Sequence, residues 1–153
     1  MDDMTGAKIS AFLAQYDTMA IATVHDDQPY VTRVFFVEDA ASDSSLKLYG
    51  TFITSSRKLA NLRENPRVGL FIGPSEPTIW LEATAQAHIL TDESAVAAVR
   101  ENLGKKSATA AGFIAMVPTA AVELQVNWLR ITDLTGGPVY TEASFDEESS
   151  GGE

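Results

Sequence analysis

Two hydroxyls followed by two cations, Ser55-Ser56-Arg57-Lys58, are the residues of this chain best suited by type and spacing to bind a ligand. They stand where a polar turn, Thr54-Ser55-Ser56, leads into a short helical run, so they occupy the first turn of a predicted helix. The first backbone N–H groups of a helix have no intrahelical partners, and the helix dipole adds positive potential at the same end. A phosphate group is the natural ligand for such a spot, each charged hydrogen bond contributing about 1.5–3 kcal/mol. The competing reading is a solvated first turn that happens to carry two cations. Against it, cations at a helix N-terminus are electrostatically unfavourable without a compensating anion.

Other candidate groups are few. Arg33 lies in an apolar strand, where alternation puts Val31, Arg33 and Phe35 on one face and Thr32, Val34 and Phe36 on the other. It reads as a rim residue paired with Glu38 or Glu82, or as a second contact to an anionic ligand. His25 and His88 are the only histidines, and neither has a carboxylate at chelating spacing, so no metal site and no general base is assigned. Trp80 and Trp128 read as core or interface residues, with Trp128 also able to cover a planar ligand. With no cysteine and no Ser/His/Asp arrangement, redox chemistry here needs an organic cofactor to carry it. No catalytic residue is named.

At 153 residues, 45% apolar and 21% charged, the chain has the size and composition of one globular domain. A formal net charge of −10 argues against nucleic acid or an anionic membrane as partner. The charge is unevenly placed, however. Between Leu46 and Ser75 five cations, Lys47, Arg57, Lys58, Arg63 and Arg67, face one acid, Glu64, a local net charge of +4. Acids beyond roughly 8 Å are largely screened at physiological salt, so the local sign decides and favours a small anion. The absence of cysteine, of a long apolar run and of a secretory-type N-terminus makes the cytoplasm the expected compartment.

The elements that must position these groups follow from periodicity. Thr5 to Tyr16 has helical spacing, with Thr5 as the expected cap. Thr18–His25 and Tyr30–Val37 form a predicted β-hairpin around Asp26-Asp27-Gln28-Pro29. A third strand, Leu46–Thr51, precedes the Ser55–Asn65 helix, which Pro66 closes; Arg67–Ile72 and Thr78–Leu90 are the fourth and fifth. A helix capped by Thr91 or Asp92 runs to about Leu103, and residues 104–118 read as a loop followed by a short apolar helix near Ala111–Met116. Ala120–Thr132 is the sixth strand, with Val122, Leu124, Val126 and Trp128 expected on one face. Val139–Phe145 adds a short edge strand after Gly136-Gly137-Pro138. Residues 146–153, DEESSGGE, read as a disordered acidic tail beyond a single domain spanning residues 1–145. The whole is a mainly β protein: a six-stranded antiparallel barrel with flanking helices.

The order of PYVTRVFFV, LYGT, SSRKLANLRENPRVGLFI and WLEATAQAHIL resembles the pyridoxamine-phosphate-oxidase-like flavin-binding split-barrel superfamily over Thr18–Leu90. That resemblance implies a homodimeric split barrel binding FMN between subunits and acting as an oxidoreductase on a small-molecule substrate. By position it implies that Arg57 and Lys58 hold the phosphate, assisted by Ser56 and Thr51. Arg33, Val34, Phe35, Tyr49 and Gly50 would line the isoalloxazine edge. Thr78 stands where relatives often carry Gln. True pyridoxamine-phosphate oxidases have an Arg-x-His pair near the C-terminus, whereas this chain has Leu129-Arg130-Ile131-Thr132, so pyridoxal phosphate synthesis is not expected. Related branches bind deazaflavin or haem, and a non-catalytic binding or sensing protein is the alternative reading; with haem, His25 or His88 would be the candidate ligands.

Overall fold

A computed structural model describes residues 1–145; the expected tail at 146–153 lies outside the described residues. The elements, in order, are α1 (Asp3–Leu13), β1 (Thr18–His25), β2 (Gln28–Glu38), β3 (Lys47–Ile53), α2 (Arg57–Glu64), β4 (Arg67–Ile72), β5 (Ile79–Ile89), α3 (Glu93–Lys106), α4 (Ala108–Met116), β6 (Thr119–Asp133) and β7 (Val139–Ser144). The sheet runs β3-β2-β1-β4-β5-β6-β7, and pairing of β3 with β6 closes the first six strands into an antiparallel barrel with β7 as an extra strand. Closure leaves few free edges.

The barrel is filled by alternate residues of each strand, among them Ile21, Phe36, Leu48, Phe52, Leu81 and Leu124, all fully buried. The β1–β2 hairpin turns through Asp26 and Asp27, both at positive φ (48° and 60°), as a two-residue turn matched to strand twist requires. Strand β2 therefore starts at Gln28, two residues before the sequence-based boundary.

Three expectations are corrected. Asp2, not Thr5, caps α1: its carboxylate accepts from the Thr5 N–H at 2.7 Å, and the helix stops at Leu13. Residues 104–106 continue α3 rather than forming a loop. Lys105 and Lys106 sit favourably in its last turn, and Ser107 both ends α3 and caps α4. Finally, Trp128 does not share a face with Val126. Thr84 pairs with Trp128 and Ala85 with Val126, so Asn127 is the extra residue of a bulge. Past it the alternation inverts: Leu129 and Ile131 turn inward, and Trp128 turns outward beneath the Arg130 guanidinium at 5.6 Å.

What makes the barrel open is the short β2–β3 pairing, confined to Phe36–Glu38 against Leu48–Gly50. Beyond it the strands diverge, so Arg33–Phe35 on β2 and Thr51–Ile53 on β3 face each other across a cleft. Gly50 sits at the divergence, where a Cβ would lie 3.0 Å from the Phe35 carbonyl oxygen. The lack of a side chain there allows the close approach.

Candidate functional site

Helix α2 starts immediately after β3 because Ser56 caps it, its Oγ accepting from the Leu59 N–H at 3.3 Å. Leu59 and Leu62 are buried, and the buried Asn61 Nδ2 donates to Thr23 Oγ1 on β1 at 3.0 Å. This internal hydrogen bond fixes the rotation of α2 about its axis, and with it the directions of Arg57 and Lys58. The first turn holds no acid.

Five of the nine sequence-predicted residues, Arg33, Val34, Phe35, Thr51 and Lys58, line one cavity of about 240 Å³ in the cleft between β2 and β3. Thr18, Ile53 and Phe113 complete it. The Lys58 ammonium lies over the Phe52 ring at 5.6 Å, and burial pushes its pKa down from the ordinary lysine value. Thr51 is 3% exposed and its hydroxyl has no hydrogen-bond partner among the described residues. A buried hydroxyl in that state costs free energy unless something else in the cavity bonds to it. An anion in the cavity would stabilise the ammonium.

The remaining four predicted residues are placed differently. Arg57 faces a second groove, its guanidinium over the Tyr30 ring at 5.2 Å, with His25, Asn61 and Glu64 nearby. Ser56 stands at the helix cap, where its oxygen accepts the Leu59 N–H and its O–H remains a donor. The Tyr49 hydroxyl donates to Asp39 at 3.1 Å, and Gly50 lies buried under β2. Thr78 is exposed in the connection before β5 and does not line the cavity.

Arg33 lies exposed at the mouth of the cavity and pairs with neither expected carboxylate. Glu38 takes Lys106, and Glu82 takes Arg130 at 3.7 Å. His25 Nδ1 contacts Glu64 at 2.6 Å and Nε2 contacts Asp26 at 3.2 Å. The Glu64 hydrogen bond, then the Asp26 and Glu64 charges, raise its pKa above the ordinary histidine value. His88 is exposed on β5. Among the described residues no three His, Asp or Glu side chains gather to hold a metal ion. Among the same residues no helix is long and apolar enough to cross a membrane.

Sequence reasoning missed Phe113, which reaches from α4 to the Phe35 ring with centroids 5.7 Å apart. Its only signal was being the one aromatic in an otherwise small apolar run whose local structure was ambiguous.

Comparison with known proteins agrees with this architecture. The pyridoxamine 5'-phosphate oxidase family model matches residues 5–133. A Clostridium acetobutylicum protein related to general stress protein 26 of B. subtilis, of the pyridoxinephosphate oxidase family, superposes with TM-score 0.70 at 13% identity, covering 94% of this chain and 96% of that one. A heme-binding protein from Mycobacterium smegmatis gives TM-score 0.70 at 15% identity, covering 94% and 59%. HutZ, a heme storage protein from Vibrio cholerae, gives 0.64 at 19% identity, covering 78% and 88%. At these identities the structures share the fold, and no curated protein matches. With 129 consecutive residues under one family model, this chain belongs to the pyridoxamine 5'-phosphate oxidase family.

Proposed function

We propose that this chain binds FMN in the β2–β3 cleft and acts, as a homodimer, as a flavin-dependent oxidoreductase on a small molecule. The observation that carries the reading is that Thr51, whose buried hydroxyl has no hydrogen-bond partner among the described residues, lines the same cavity as the half-buried Lys58. Both groups lack what a phosphate supplies. The Ser56 O–H and the first N–H groups of α2 add donors beside it. Phe35, Val34 and Ile53 offer an apolar wall to a ring system.

Bound there, the flavin would supply two-electron transfer at its ring. The chain's own residues bind and orient: Lys58, Thr51 and Ser56 hold the phosphate, Arg33 guards the mouth, and the β2 backbone fixes the ring edge. Neither a carboxylate nor a histidine lines the cavity, so no general acid–base pair is assigned. The missing Arg-x-His pair sets pyridoxal phosphate synthesis aside.

The dimer reading rests on the outer sheet face. There Val31 (65% exposed) and Phe71 (45%) flank Ala20, Ala22 and Gly69, a low apolar surface on neighbouring strands that a second copy would cover. Haem and deazaflavin are the alternative ligands, haem because two structural relatives carry it by name. Neither histidine lines the cavity, which favours the flavin. The absorption spectrum of protein titrated separately with FMN and haemin decides. The expected result is stoichiometric FMN with flavin bands, and a Soret band from specific haem uptake without FMN binding would overturn the reading.

A further inference from the structure

Helix α2 presents two faces to two different spaces. Lys58 lines the cleft, whereas Arg57, Ala60, Asn61 and Glu64, at spacings of three, four and seven, line a second groove of about 550 Å³. Tyr30 and Pro29 of β2 complete that groove. The cleft alone, at about 240 Å³, is smaller than the roughly 300–1,000 Å³ of pockets that enclose a drug-sized ligand, and the groove lies within that range. A flavin nucleotide seated in the cleft therefore has part of its length outside it.

The two spaces follow one another along β2. Arg33 lines the cleft and Tyr30 the groove, three residues or about 10 Å apart. Over this length β2 pairs with β1 on one side only, because its pairing with β3 is confined to Phe36–Glu38. The order repeats on α2, where Lys58 and Arg57 occupy consecutive positions.

The groove is chemically graded. At the helix start the Arg57 guanidinium rests over the Tyr30 ring at 5.2 Å, and its N–H groups meet no acceptor among the described residues. Asn61 stands one turn further on and Glu64 two, about 10 Å from Arg57 along the axis. Asn61 is 3% exposed; its Nδ2 donates to Thr23, and its Oδ1 accepts nothing among the described residues. Glu64 contacts His25 and keeps further acceptor capacity. An anionic group is thus favoured beside Arg57, and a group that donates hydrogen bonds is favoured towards Asn61 and Glu64. Adenine has the second character, being a flat ring with an exocyclic amino donor.

We propose that the ligand continues past its first phosphate, with a second phosphate on Arg57 and a purine base in the Tyr30 groove, so that the chain favours a flavin dinucleotide of the FAD type over FMN. The proposal rests on the flavin reading above, which seats the first phosphate at Lys58. Two linked phosphates answer the divergence of Arg57 from Lys58, which a single phosphate does not.

The test titrates FAD and FMN by calorimetry into wild type, Arg57→Ala, Tyr30→Ala and Tyr30→Phe, and reads the ratio of the two affinities in each. Both ligands are measured on the same protein, so the ratio does not depend on its folded fraction. Wild type should bind FAD at least about tenfold more tightly than FMN. Arg57→Ala and Tyr30→Ala should each cut that ratio to about twofold or less, and Tyr30→Phe should keep it because the ring remains. Wild type that takes up neither flavin removes the flavin reading and this proposal with it. Wild type that binds FMN at least as tightly as FAD overturns this proposal alone. So does a preference for FAD that survives both Arg57→Ala and Tyr30→Ala, since the tail would then lie elsewhere.

Discussion

Arg57 and Lys58 are adjacent in sequence yet face different spaces: the Arg57 guanidinium lies over Tyr30 in an outer groove, and the Lys58 ammonium lies over Phe52 in the cleft. Successive residues on a helix point about 100° apart, so two neighbouring cations rarely share one small cavity. Their contributions to ligand binding should therefore be unequal. Lys58→Ala should lower FMN affinity by about 1.5–3 kcal/mol, and Arg57→Ala by less than half of that, as read by flavin fluorescence titration. Equal losses would show that Arg57 swings into the cleft when the ligand binds.

Thr51 separates ligand binding from stability. Its hydroxyl bonds to nothing among the described residues, so Thr51→Val removes an unsatisfied group at nearly constant volume. Urea denaturation should show a variant at least as stable as wild type, while FMN affinity falls by about 1–2 kcal/mol. A destabilised variant with unchanged affinity would mean that the hydroxyl serves the fold.

The neighbouring buried pair behaves in the opposite way. Asn61 Nδ2 donates to Thr23 Oγ1 with both residues buried. Thr23→Val leaves the Asn61 amide without its acceptor and should cost about 1–3 kcal/mol in urea denaturation. Because this bond also sets the rotation of α2, FMN affinity should fall with it. A neutral substitution would place α2 under other control.

These contrasts show what could be read from the sequence and what could not. The strands along the chain, a cap at Thr91 or Asp92 and the α2 helix were legible because each is a local signal: alternation, a capping side chain, a proline stop. The inversion at Asn127 was not, because a bulge depends on the partner strand rather than on the residues it displaces. The site was partly legible for the same reason. Ser56-Arg57-Lys58 marks a helix start in one dimension, but the parting of Arg57 from Lys58 depends on a hydrogen bond to Thr23, 38 residues away from Asn61. Phe113 escaped because its role requires the α3–α4 corner to fold back onto β2.

His25 makes α2 sensitive to pH. Its contact with Glu64 ties the end of the β1–β2 hairpin to the end of α2, and its pKa is raised, first by that hydrogen bond and then by the Asp26 and Glu64 charges. A histidine raised on folding stabilises fully below its unfolded value of about 6.5, and the contribution disappears as pH rises through the folded value. Wild type should therefore exceed Glu64→Gln in stability at about pH 5.5–6, and the difference should shrink as pH rises through the raised folded value. A difference that grows with pH would contradict the pairing.

The central claim is that the cleft between β2 and β3 grips a phosphate, and FMN against riboflavin measures it most directly because only the phosphate differs. Wild type should bind FMN about 100-fold more tightly than riboflavin, from two charged hydrogen bonds, and Lys58→Ala should remove most of that preference. Equal affinity of the wild type for the two flavins, or a preference untouched by Lys58→Ala, would contradict the account.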